Sequence, residues 1–305
     1  MHRRILLAVV AAVVGTAAAA LPGVAMAKTA AKPHYYLALG DSLSQGMQPD
    51  LNGTTLNTDQ GYANDLLTIE RKHVRNLKLV QLGCGGDTTT SMLTGKGNDA
   101  AAKLLHCNRQ GGSQEAAAEH FLKTHHRKGE VPLITVDIGA NDVDGCASVP
   151  ASEVGTCVTN GLATINANLP KILAGLKQAA PKGTTFAAMT LYDPVLGGFF
   201  APAGSSTQAL ALASVTLSKA VNGALTTADS KAGFLTADVA GAFDTYDTTD
   251  TVPWEGQQIP VNVARVCSWT WACQTPPSGP NIHANKNGYQ VIANAFAAAI
   301  GRKLH

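Results

Sequence analysis

The chain carries little charge and almost none of it in excess. Lys and Arg number 23 against 21 Asp and Glu, a formal net charge of +2 at pH 7, and two of the positive residues, Arg3 and Arg4, lie in the apolar N-terminal stretch. Without that stretch the chain is neutral, which removes the electrostatic case for a nucleic-acid partner. Several chemical signatures are missing as well. No G-x-S-x-G elbow occurs, which argues against the α/β-hydrolase scaffold. His120, His125 and His126 share one expected helix, but no H-E-x-x-H occurs, which argues against a zinc peptidase. No pair of cysteines has the C-x-x-C spacing of a metal knuckle. Nucleotide and prosthetic-group motifs are absent too, so no metal and no cofactor is expected, and the chemistry falls to side chains and water.

What is present begins with a leader. Arg3 and Arg4 precede the apolar run Ile5 to Ala20, and Ala25-Met26-Ala27 fits a signal-peptidase site. Residues 1–27 therefore read as a signal peptide, residues 28–34 as a lead-in and residues 35–305 as one domain, exported and not stably inserted in a membrane. Six cysteines follow the leader: Cys84, Cys107, Cys146, Cys157, Cys267 and Cys273. An even count in an exported chain points to disulfides. Proximity in sequence favours Cys84 with Cys107, Cys146 with Cys157 and Cys267 with Cys273. The chain shows no internal repeat, and a monomer is expected.

From Tyr35 onward, short apolar runs alternate with helical patterns. The runs at 35–39, 77–82, 133–138, 185–191 and 234–239 are unalternating, as strands covered on both faces are. Helical stretches lie around 64–72, 114–126, 161–179, 206–228 and 288–303. This alternation predicts an α/β protein, a three-layer α/β/α sandwich around a parallel sheet of about five strands, flavodoxin-like in kind. Sites on such sheets form at the carboxyl ends of strands. There the chain places "GDSLSQG" (40–46), "GCGGDTTT" (83–90) and "GANDV" (139–143), and "NIHANKNGY" (281–289) leads into the last helix.

Together these four segments resemble the SGNH/GDSL hydrolases, a family of serine esterases, lipases and related acyl hydrolases. The blocks occur in the family's order from Gly40 to Tyr289. The resemblance implies Ser42 as nucleophile and His283 as general base. It also implies an oxyanion hole made by the backbone N–H of Ser42, that of Gly86 and the side-chain amide of Asn141. These residue types suit acyl transfer. A hydroxyl must lose its proton as it attacks, so an imidazole must lie within reach. Donors must also meet the negative oxygen that forms, and glycine lets backbone approach closely while an asparagine donates without charge. Asp41, Asp87 and Asp142 read as turn formers.

One position departs from the family. Members usually carry Asp three residues before the histidine, where this chain has Pro280. Asn281 follows, uncharged, and a donor turned toward the ring would favour the wrong tautomer. The expected substitute is a backbone carbonyl, most simply that of Pro280, giving a Ser–His dyad. Asp193 is the best distant carboxylate, and Asn281 itself is a further candidate to orient the ring.

The substrate is less legible. Phe199 and Phe200, and Trp269 and Trp271 in the short segment between Cys267 and Cys273, are candidates to line an acyl pocket. The expected activity is hydrolysis of carboxylic esters, lipid or short- to medium-chain, through an acyl-enzyme. A carbohydrate acetyl esterase is the alternative within enzymes. A non-catalytic binding protein on the same scaffold, tethering to lipid or glycan, is the alternative outside them.

Overall fold

In a computed structural model, residues 32–304 are described, so the leader expected over residues 1–27 lies outside the described residues. Five strands form the central sheet: β1 (His34–Gly40), β2 (Leu77–Gln81), β3 (Leu133–Asp137), β4 (Thr185–Met189) and β5 (Leu235–Ala237). All pairings are parallel, in the order β2-β1-β3-β4-β5. Helices alternate with them: α1 (Tyr62–Glu70), α2 (Gln114–Thr124), α3 (Val154–Ala179), α4 (Ser206–Ala232) and, last, α5 (Lys286–Ile300). Helix α1 packs on α5 to form one covering layer, and α2, α3 and α4 pack in series to form the other. The three-layer sandwich is thus the one the alternation predicts.

Two-sided cover explains the composition of the strands. Every residue of β3 is buried, and so are the last five residues of β1. A strand dry on both faces gains from apolar side chains at every position, not at alternate ones. Helix α3 begins seven residues ahead of the expected stretch, at Val154. A disulfide joins Cys157 in the first turn of this helix to Cys146, anchoring that start.

All three expected cysteine pairs are bonded, with Cα–Cα separations of 5.5, 5.6 and 5.0 Å for Cys84–Cys107, Cys146–Cys157 and Cys267–Cys273. Each one closes a loop near a carboxyl end of the sheet or ahead of the histidine segment.

The end of β1 leaves no room for a side chain. Register places Gly40 opposite Asp137, its φ is +139°, and a Cβ there would fall 2.0 Å from the Asp137 carbonyl oxygen. Both the dihedral and the contact exclude other residues. Gly40→Ala is expected to destabilise the fold by about 2–4 kcal/mol, read as a drop in the midpoint of urea unfolding with unchanged slope.

Candidate active site

Ser42 sits on the turn leaving β1 and is largely buried, at 8% exposure. Its carbonyl accepts from the N–H groups of Gln45 and Met47 at 3.2 and 3.1 Å. Asp41 Oδ1 accepts from the Leu43 N–H at 3.0 Å, and Ser44 Oγ donates to the Asp41 carbonyl at 2.8 Å. The turn is therefore fixed by local bonds, with Asp41 in the turn-forming role its sequence suggests.

Beneath it lies Asp137, whose Oδ2 accepts from the Ser44 N–H at 3.1 Å and whose Oδ1 accepts from Tyr62 Oη at 2.5 Å. Burial raises the pKa of both Asp41 and Asp137, Asp41 to about 6. Repulsion between the two carboxyls adds to the effect of burial on Asp137.

A second device holds the nucleophile's strand to the glycine-rich loop after β2. Gln114, the first residue of α2, grips Gly40 from both sides: Oε1 accepts from its N–H at 2.7 Å and Nε2 donates to its carbonyl at 2.8 Å. The same Nε2 donates to Asp87 Oδ2 at 2.7 Å. Asp87 Oδ1 in turn accepts from Ser91, Asn98 and Arg109, at 2.8, 2.9 and 2.5 Å. A fully buried carboxylate is thus paired and saturated, as burial requires. Asn141 Nδ2 donates to the Asp87 carbonyl at 3.0 Å, and Asp142 accepts from the N–H and hydroxyl of Thr89 at 2.8 and 2.7 Å. Hence the three loops lock to one another. The N–H groups of Ser42 and Gly86 donate to no other protein group among the described residues, and an amide hydrogen of Asn141 remains unspent.

His283 lies in the short strand Asn281–Ala284, which pairs antiparallel with Thr270–Trp271. The Tyr192 hydroxyl donates to the Ile282 carbonyl at 2.7 Å and pins this strand. Two further features of "HANKNGY" now have causes. A Cβ on Gly288 would fall 2.0 Å from the Trp269 carbonyl oxygen, so only glycine lets α5 start there. Tyr289 Oη donates to the Met47 carbonyl at 2.8 Å, tying α5 to the nucleophile's loop.

The ring's partner corrects two expectations. His283 Nδ1 meets Asn281 Oδ1 at 2.7 Å, so neither the Pro280 carbonyl nor a carboxylate holds it. Asp193 Oδ1 instead caps the turn Pro194–Phe200 through the Val195 N–H. The orientation of Asn281 follows from donors alone. The backbone N–H of His283 can only donate and lies 3.0 Å from the same Oδ1, while Asn281 Nδ2 donates to Thr55 Oγ1 at 3.0 Å. Oxygen therefore faces the ring, Nδ1 carries the proton, and Nε2 is left with a lone pair. The tautomer feared from an asparagine does not arise. Burial lowers the His283 pKa to about 4, which keeps the ring neutral.

Ser42, Asn141 and His283 line one cavity of about 120 Å³. No hydrogen bond joins Ser42 Oγ to the ring among the described residues; apo sites often hold this contact loose until substrate closes it. The family model for the GDSL-like lipase/acylhydrolase family matches residues 38–291, which includes all four loops.

The chain belongs to the GDSL-like lipase/acylhydrolase family.

Membership of this family supports hydrolysis of esters. Solved structures similar to this GDSL-type chain include an extracellular lipase from Streptomyces rimosus, at 16% identity over 87% of this chain and 99% of that one, with a TM-score of 0.52. A phospholipase A1 from Streptomyces albidoflavus is 16% identical over 87% and 100% of the two chains, with a TM-score of 0.49. An α/β hydrolase, LAE5, from the metagenome of Lake Arreo is 19% identical over 88% and 96%, with a TM-score of 0.48. The first of these supports the common fold. No curated protein sequence matches the chain.

The cavity's walls differ from the expectation. Phe199, Phe200, Trp269 and Trp271 are not among its lining residues. Phe199 packs edge-on against Phe200, and Trp269 packs edge-on against Phe243 beneath Arg265. Aliphatic residues line it instead: Val154 and Val158 from α3, and Leu210, Leu217 and Val221 from α4. A sequence signal for the latter exists. Leu210, Ser214, Leu217 and Val221 recur at helical spacing, a pattern that by itself marks a buried helix face and not a substrate wall.

Proposed function

We propose that this GDSL-type chain is an exported serine hydrolase that cleaves short- to medium-chain carboxylic esters through an acyl-enzyme on Ser42. His283 Nε2 takes the hydroxyl proton as Ser42 Oγ attacks the ester carbonyl, then returns it to the departing alcohol. The N–H groups of Ser42 and Gly86 and the amide of Asn141 receive the oxyanion. Water, activated by the same imidazole, releases the acid. The observation that carries this reading is Asn281 Oδ1, which takes both the backbone and the ring N–H of His283 and so leaves Nε2 unprotonated beside the cavity that Ser42 lines.

Asn281 supplies orientation without charge. Asparagine stabilises an imidazolium less than a carboxylate does, so the site trades some basicity for a ring that stays neutral in acid. Export is supported by the signal-peptide pattern of the sequence over residues 1–27 and by the three disulfides, which persist in oxidising compartments.

The cavity favours an acyl chain over a lone acetyl group. It is somewhat smaller than the ~150 Å³ engineered cavity that admits benzene, and its aliphatic lining rewards each added methylene until the space is filled. Turnover of p-nitrophenyl esters is expected to rise from acetate to an optimum at about four to eight carbons and then fall. A maximum at acetate, with acetylated sugars hydrolysed faster than butyrate, would favour the carbohydrate esterase instead.

A further inference from the structure

The amide that orients the base is itself held by a single outside contact. Asn281 Oδ1 takes two bonds, from the backbone N–H and the ring Nδ1–H of His283, at 3.0 and 2.7 Å. Both come from the residue that it must position, so neither ties the pair to the rest of the molecule. The backbone of Asn281–Ala284 is fixed by Tyr192 and by its pairing with Thr270–Trp271. For the Asn281 side chain, the one hydrogen bond that leaves the pair among the described residues runs from Nδ2 to Thr55 Oγ1, at 3.0 Å.

Thr55 lies on a hairpin that starts where the nucleophile's turn ends. The hairpin pairs Gln48–Pro49 with Thr55–Leu56 and sets Thr55 opposite Pro49. It follows directly on Met47, whose N–H donates to the Ser42 carbonyl and whose own carbonyl accepts from Tyr289 Oη. Asp50 closes its tip, with Oδ1 accepting from the N–H groups of Asn52 and Thr54, both at 2.8 Å. That tip docks just ahead of the histidine. Ser278 Oγ donates to the Asp50 carbonyl at 3.2 Å, and a Cβ on Gly53, where φ is +83°, would fall 2.2 Å from the Pro277 carbonyl oxygen. One hairpin therefore joins the loop that carries the hydroxyl to the segment that carries the imidazole. Such a link sets where the ring stands relative to Ser42, and proton transfer between them is sensitive to that placement.

We propose that Thr55 is a positioning residue for the general base: acting through Asn281, it fixes the His283 ring to the hairpin that grows out of the nucleophile's turn. The inference rests on the esterase reading and adds to it a residue outside the cavity, since Thr55 is not among the residues that line it.

Valine matches threonine in shape and suits a strand equally well, but it accepts no hydrogen bond. Thr55→Val is expected to lower kcat for p-nitrophenyl butyrate by about five- to tenfold, the worth of one hydrogen bond. KM should hardly change, because Thr55 does not touch the space the ester occupies. Thr55→Ala removes the same acceptor without adding a methyl group and should give a similar loss, whereas Thr55→Ser keeps the hydroxyl and should restore most of the rate. In an Asn281→Leu background the contact is already gone, so Thr55→Val should add no further loss. A structural defect in the hairpin would instead lower the rate in both backgrounds. Wild-type kcat in Thr55→Val, an equal loss with and without Asn281, or a loss that serine does not restore would overturn this inference and leave the esterase reading standing. Failure of the wild type to cleave p-nitrophenyl butyrate would count against both.

Discussion

Replacing Ser42 by alanine is expected to lower kcat for ester hydrolysis by at least about 10⁴-fold without loss of fold, as removal of the nucleophile does in serine proteases. The fold should survive because Ser42 serves the turn through its carbonyl, which accepts from Gln45 and Met47, while its hydroxyl supports nothing else among the described residues. His283→Ala should cost nearly as much, and the double variant little more than either alone, because the two act as a unit. Near-additive losses would mean that they serve separate steps. Urea unfolding of the same variants separates the loss of chemistry from any loss of structure.

The second large effect is expected at Asn281. Asn281→Leu removes the acceptor that fixes the ring's tautomer, and kcat should fall by roughly 10³-fold, somewhat less than the ~10⁴ seen when a triad aspartate becomes asparagine. Asn281→Asp should act in the opposite sense. A carboxylate beside Nδ1 stabilises the imidazolium, so kcat should rise, by about tenfold or less since the tautomer is already correct.

The pH profile carries the sign. The base works only when neutral, and burial holds the His283 pKa at about 4. The acid limb of kcat/KM should therefore lie well below the ordinary histidine value of about 6.5. In Asn281→Asp the limb should move up, toward or past that ordinary value, so the variant loses activity in mild acid where the wild type keeps it. A wild-type limb near the ordinary value would mean that water or an unrecognised acid reaches the ring.

How much of this was readable in the chain depends on the kind of residue. The strands were legible because burial on both faces favours apolar residues in an unbroken run, as in Tyr36–Leu39 and in Leu133–Val136 apart from Thr135, whose hydroxyl meets Tyr36 Oη. The four site loops were legible because their chemistry requires particular residues at short spacing. The residues that hold those loops together were not. Gln114 bonds to Gly40 across 74 positions, and Tyr62 to Asp137 across 75; no local pattern marks such partners. The glycines were legible as turns, but the reason for Gly288, the close approach of the Trp269 carbonyl, needs tertiary contact.

Asn281 illustrates a different limit. Its type could be read but not which end of its amide faced the ring, and that depended on Thr55 in a distant hairpin. The aromatic residues misled for a physical reason. Large rings near a site in sequence satisfy the expectation of a pocket wall, yet Trp269 and Phe199 gain more by packing on other rings. The wall fell to a stripe on α4 that is indistinguishable from an ordinary core-facing helix until the sheet puts it beside Ser42.

The proposed chemistry needs one hydroxyl made reactive by one imidazole. The most direct test is to treat the oxidised, folded protein with a fluorophosphonate and map the modified peptide by mass spectrometry, in the wild type and in His283→Ala. Stoichiometric modification confined to Ser42, and slowed by orders of magnitude without the histidine, is the predicted result. Modification at another residue, or labelling of Ser42 at the same rate when His283 is gone, would contradict it.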